Sequence, residues 1–129
     1  MSLVLADTSV WVAHFRRANP VLQSLLALDQ LLCHPLVVIE LACGTPPAPR
    51  ARTLAELRKL RPAVVATTDE ILALIERRKL FDTGCGATDV ALLASALLTP
   101  QTRLWTLDKS LAAMAARVGV EFQSDDVDR

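Results

Sequence analysis

Four carboxylates are set apart from the other acids of this chain by where they fall. Asp7 directly follows the apolar run Leu3-Val4-Leu5-Ala6. Asp108 comes one residue after a second apolar run around Leu104 and Trp105. Asp89 opens an apolar segment that continues through Leu98. Glu40 lies among Leu36, Val37, Val38, Ile39, Leu41, Ala42 and Cys43. That helical stretch is apolar all the way round and is expected to be largely buried. A carboxylate there is costly unless it meets a partner charge, a metal or a water-filled cleft. Each acid also has an ordinary explanation. Asp7 and Asp108 suit helix N-caps, and Asp89 complements a helix dipole. Glu40 reaches out through a gap or pairs with an arginine. If the fold brings the four together, however, Lys109 is the only base next to them in sequence, and the cluster needs cations. Hard oxygen ligands select Mg²⁺ or Mn²⁺ over zinc. Carboxylates holding one or two such ions are a standard means of hydrolysing phosphodiesters.

Other chemistries find less support. Ser9, Ser95 and Ser110 have no His-Asp partner pattern, and G-x-S-x-G is absent. So are the Walker and G-x-G-x-x-G phosphate loops. A receiver needs adjacent acids at the first strand end, and a haloacid-type phosphatase needs Asp-x-Asp; here Thr8 and Ser9 follow Asp7. Cys33, Cys43 and Cys85 are odd in number and lack C-x-x-C spacing, so they are expected to be reduced thiols in or near the core. His14 and His34 are too few for a histidine-based zinc site.

The elements that must position these acids follow from periodicity and stop signals. Residues 3–6 form a strand of buried length, and 8–17 a helix. Asn19-Pro20 is an N-cap with an N1 proline, starting a helix through Leu28. Residues 31–34 are a second strand, and 36–43 a helix stopped by Gly44. A rigid Pro-rich loop spans 45–49, a charged helix 50–60, and a turn or short extended piece 62–66. Thr67 and Glu70 have capping-box spacing and start a helix over 71–80. Residues 88–98 form an apolar helix and 102–106 a strand. A helix beginning at Asp108 is stopped by Gly119, and 120–122 is a last strand. Strands alternating with helices predict an α/β fold, a three-layer sandwich whose central, mostly parallel sheet is flanked by helices. Ligands of such folds bind outside the carboxyl ends of the strands, where Asp7 and Asp108 fall. The whole chain, 1–129, is expected to be one domain, with 124–129 a flexible acidic tail.

Four segments in order resemble the PIN-domain family, specifically the VapC-type toxin ribonucleases of type II toxin–antitoxin pairs. They are Leu3-Val4-Leu5-Ala6-Asp7-Thr8-Ser9, Val38-Ile39-Glu40-Leu41 with Gly44, Gly84-Cys85-Gly86-Ala87-Thr88-Asp89-Val90, and Leu104-Trp105-Thr106-Leu107-Asp108. The resemblance covers nearly the whole chain. It implies Asp7, Glu40, Asp89 and Asp108 as metal-binding and catalytic acids, with one or two Mg²⁺ or Mn²⁺ ions. It implies Thr8, Ser9 and Thr106 as hydroxyls that orient a carboxylate or water; plain helix or strand capping is the alternative for them. It further implies an endoribonuclease that works by metal-activated water, forms a homodimer, and is inhibited by an antitoxin whose C-terminal segment covers the active site. A PIN-like scaffold that only binds protein remains the alternative function. The 45–49 loop and Cys85 depart from the family pattern.

Composition fits this reading after one adjustment. Of the 129 residues, 52 % are hydrophobic and 22 % charged, which excludes intrinsic disorder. No apolar run approaches the roughly 20 residues of a membrane span. No basic n-region precedes Asp7, so a signal peptide is not expected and the cytoplasm is the expected location. The net charge is zero, from 14 bases and 14 acids, which argues at first against a nucleic-acid partner. Setting the four clustered acids aside leaves the rest of the chain at +4. Eight bases against four acids also fall within 50–79, as an RNA-facing surface or simply as solvated helix faces.

Overall fold

The structure is a computed structural model and describes residues 2–124. The acidic tail expected at 124–129 lies outside the described residues beyond Ser124. Strands β1 (Leu3–Ala6), β2 (Leu31–Cys33), β3 (Arg61–Pro62) and β4 (Thr102–Trp105) form one sheet in the order β3-β2-β1-β4. All three pairings are parallel, with Val4 opposite Leu31 on one side of β1 and Arg103 on the other. Inner strands of a parallel sheet are covered on both faces, so they read as unbroken apolar runs. Val4, Leu5 and Ala6, and Leu31 to Cys33, are buried accordingly. Pro62 cannot donate to a ladder and sits on the edge strand, where the loss is tolerated.

Seven helices among the described residues flank this sheet in a three-layer α/β sandwich: α1 (Thr8–Arg16), α2 (Pro20–Ala27), α3 (Pro35–Cys43), α4 (Arg50–Leu57), α5 (Thr68–Arg78), α6 (Ala87–Leu98) and α7 (Lys109–Arg117). The expected caps are present. Asn19 Oδ1 accepts from Val21 and Leu22, and Thr67 and Glu70 form the reciprocal capping box. The α3 cap is His34, buried, whose Nδ1 accepts from the Leu36 amide at 3.0 Å. Helix α6 is the core helix, buried without a break from Val90 to Ala96.

Three expectations are corrected. Residues 120–122 make a single bridge, Glu121 to Leu104, rather than a strand. Gly119 turns the chain at φ +82 directly before it, and only the Leu104 N–H to Val120 and Phe122 N–H to Leu104 carbonyl bonds form. The helix expected over 50–60 ends at Leu57. Cys43 is exposed, while Cys33 is buried and Cys85 half-buried; all three are free thiols. Burial pushes the Cys33 thiol up to about 11, so it is inert near neutral pH. No helix among the described residues is long and apolar enough to cross a membrane.

Candidate active site at the carboxyl edge of the sheet

Because the strands run parallel, their carboxyl ends share one edge, and the acids gather there. Asp7 leaves β1 and caps α1, its Oδ1 accepting from the Val10 amide at 3.2 Å. It is buried, 5 % exposed. The same Oδ1 accepts from the Ser9 hydroxyl, and Oδ2 accepts from the Thr106 hydroxyl, 99 residues away in sequence. Asp108 caps α7 through Leu111 at 2.9 Å. Both acids are therefore helix N-caps; the second oxygen of Asp7 is taken by Thr106, and the cap of Asp108 uses only its Oδ1.

Two hydroxyls lock this edge together. Ser9 Oγ donates to Asp7 and accepts from the Leu107 amide at 3.0 Å. Thr106 Oγ1 donates to Asp7 and accepts from the Asp108 amide at 3.0 Å. The loop after β4 is thus fastened to the start of α1 by two bonds that converge on one carboxylate.

Glu40 differs from expectation. It is exposed, not buried, because α3 packs on the core through Val37 and Leu41, one helical turn apart, and leaves Ile39 and Glu40 outside. Glu40 therefore incurs no burial cost. Glu40 Oε1 accepts from the Thr8 hydroxyl at 2.5 Å, tying α3 to the first residue of α1.

Asp89, in the first turn of α6, joins the other three electrostatically. Its carboxyl is raised above the ordinary carboxylate value, first by desolvation and then by repulsion from Asp108, Asp7 and Glu40; a Gly86 backbone hydrogen bond opposes the rise. Asp89 therefore lies within reach of the charges of the other three acids. No Lys or Arg among the described residues pairs with any of them, since the ion pairs found are Arg52–Glu56 and Arg61–Asp29.

Comparisons with known proteins bear on what this arrangement is. A family model described as the PIN domain matches residues 4–117, which includes all four acids. The chain belongs to the PIN-domain family. It is 46 % identical over 123 residues to Ribonuclease VapC32 of two strains of Mycobacterium tuberculosis, covering 95 % of this chain and 98 % of that protein. It is thereby a VapC-type member of the family. Among solved structures, PAE2754 from Pyrobaculum aerophilum superposes with a TM-score of 0.66 at 16 % identity, covering 98 % of this chain and 92 % of that one. That likeness supports the fold alone.

The donor set of this PIN domain fits a hard divalent cation: carboxylate oxygens, mutual repulsion, and no basic partner among the described residues. No three His, Cys, Asp or Glu side chains among those residues stand close enough to chelate an ion on their own. Magnesium does not require that, since it commonly takes one or two protein carboxylates and keeps several waters. The pairings of Thr8 with Glu40 and of Ser9 and Thr106 with Asp7 give the three hydroxyls partners that their sequence positions did not reveal.

The raised Asp89 pKa has a testable consequence. An acid whose pKa is higher in the folded state favours folding when protonated, and that contribution is lost as pH rises through the folded-state pKa. In the metal-free protein at neutral pH, the ionised Asp89 carboxylate therefore opposes folding. Asp89→Asn is expected to raise the melting temperature of the chelator-treated protein at pH 7 and to flatten its dependence on pH from the ordinary carboxylate range up to neutrality. Thermal melts of both proteins across that range check this; a lower melting temperature for the variant contradicts it.

Proposed function

We propose that this chain is a metal-dependent endoribonuclease and the toxin of a toxin–antitoxin pair, cutting single-stranded or loop RNA. The observation that carries the reading is the set of four carboxylates, without basic partners among the described residues, at the carboxyl edge of the sheet. The near full-length identity to a protein named Ribonuclease VapC32 supports RNA as the substrate. Asp7, Glu40, Asp89 and Asp108 would hold one or two Mg²⁺ or Mn²⁺ ions. When bound, such ions lower the pKa of water and stabilise the charge that develops on the phosphate and leaving oxygen.

The chain's own groups do the rest. Asp7 is fixed by three hydrogen bonds and serves as the rigid reference of the site. Glu40 and Asp108 are exposed, so either reaches an attacking water and accepts its proton. In-line attack on phosphorus breaks the P–O3′ bond, and the leaving 3′ oxygen takes a proton from water, giving a 5′-phosphate and a 3′-hydroxyl with no protein nucleophile required. The same reading makes residues 1–129 a single domain, a cytoplasmic homodimer, with a cognate antitoxin whose C-terminal segment covers the acids.

The test is direct. Protein purified free of any inhibitor and incubated with labelled single-stranded RNA is expected to release fragments bearing 5′-phosphates in Mg²⁺ or Mn²⁺, and none after chelation. RNA left intact with both ions would refute the assignment, and cleavage undiminished by chelator would refute the metal.

A further inference from the structure

Glu40 belongs to two features at once. It is one of the four acids, and it also lines a cleft of about 550 Å³ between α1, α3 and the loop that follows α3. Phe15 and Arg16 form one side of this cleft, Leu41 lies beside Glu40, and Pro46 and Pro47 form the far wall. Ligand clefts run roughly 300–1,000 Å³, so there is room for a nucleotide. The far wall is held in place: the Arg50 guanidinium donates to the Gly44 carbonyl at 3.1 Å and to that of Ala42, and the Thr53 hydroxyl donates to the Pro47 carbonyl at 2.7 Å. The cleft is therefore built before anything enters it.

Its chemistry matches a nucleotide. Phe15 offers an aromatic ring, the prolines offer flat apolar surface, and Arg16 is an exposed cation in neither of the ion pairs among the described residues. A strand whose scissile phosphate lies at the acids is repelled by them along its backbone. In the cleft that Glu40 itself lines, Arg16 supplies the compensating positive charge. We infer that the nucleotide flanking the scissile bond seats in this cleft, its base against Phe15 and the proline wall and a backbone phosphate on Arg16. The cleft then sets both strand affinity and sequence preference at one position. This inference rests on the RNA-cleaving reading of the adjoining acids.

Two variants test it. Arg16→Ala is expected to raise KM for single-stranded RNA severalfold and to reduce the slope of log KM against log salt by about 0.7, the contribution of one phosphate contact on a single strand. Phe15→Leu keeps an apolar side chain for packing but removes the stacking surface, and is expected to raise KM about fivefold or more. Cutting a randomised RNA pool and sequencing the new ends should show a nucleotide preference at one flanking position that Phe15→Leu relaxes. Thermal melts confirm that both variants are folded. A wild-type protein that cuts RNA, with variants whose KM, salt slope and end profile all match it, overturns this inference alone. Failure of the wild type to cut RNA overturns the catalytic reading and this one with it. Variants with unchanged KM that escape a protein inhibitor would assign the cleft to a protein segment and also overturn it.

Discussion

Asp7→Asn is expected to lower RNA cleavage on the order of a thousandfold while leaving the fold intact, because loss of one fixed charge from a transition-state-stabilising site costs that much. The geometry explains why the two effects separate. Asn is as good an N-cap as Asp, and its Oδ1 still accepts from the Val10 amide and the Ser9 hydroxyl. On the Oδ2 side the amide becomes a donor toward Thr106 Oγ1, whose hydroxyl hydrogen must turn away. The cap survives, and the charge that would hold a cation does not. Single-turnover cleavage at saturating Mg²⁺, alongside a thermal melt, measures both quantities. Near wild-type cleavage by Asp7→Asn would remove Asp7 from the catalytic set. Asp7→Ala is a poorer probe, since it also loses the cap, at about 1 kcal/mol.

Thr106→Val should cost about 10- to 100-fold in activity or in apparent Mg²⁺ affinity, the usual effect of removing a group that orients a metal-holding side chain. Valine has nearly the shape of threonine, so packing at this half-buried position is preserved. What is lost is the donor to Asp7 Oδ2 and the acceptor for the Asp108 amide. Two of the four acids are therefore loosened by one substitution. A Mg²⁺ titration of cleavage rate distinguishes this from a generic loss of stability: the half-saturating Mg²⁺ concentration should rise, with recovery at high Mg²⁺, whereas a purely structural defect would lower the melting temperature without moving it. An unchanged titration curve would leave Thr106 as a turn residue and no more.

Stability and site share these residues because of where the parallel strands end. Asp7 and Asp108 each spend one carboxylate oxygen on a helix cap. That anchors them on rigid elements, and a rigid first position for a charge is what preorganised electrostatic catalysis requires. Asp89 and Glu40 are held more lightly, by the Gly86 backbone and by Thr8.

Much of this was legible in the sequence because it is governed by local rules. The run Leu3 to Ala6 has the length of a buried strand, and strands alternating with helices point to a parallel sheet. Asn19-Pro20 and the Thr67–Glu70 box mark helix starts through contacts within four residues, and both are present as expected. Asp7 and Asp108 were marked by standing at strand ends. Four acid-bearing segments in order were enough to suggest the PIN family.

What the sequence left open depends on contacts between distant segments. Whether Glu40 is buried could not be read from its neighbours, because an apolar helix does not say which of its faces meets the core. Only the packing of Val37 and Leu41 settles that, and it leaves Glu40 in solvent. Thr8, Ser9 and Thr106 could be capping residues or could orient a carboxylate; in the fold Thr8 and Thr106 bond Glu40 and Asp7 across 32 and 99 residues, while Ser9 bonds Asp7 locally and accepts from the Leu107 amide across 98. The last segment likewise differs from expectation: the free edge of β4 is there, but Gly119 turns the chain directly before it and only the Glu121–Leu104 bridge forms. Local propensity and periodicity determine which elements form and where they stop. Which side chains then share one small volume, and so repel, bond or hold a common ion, is fixed only when the sheet brings its carboxyl ends together.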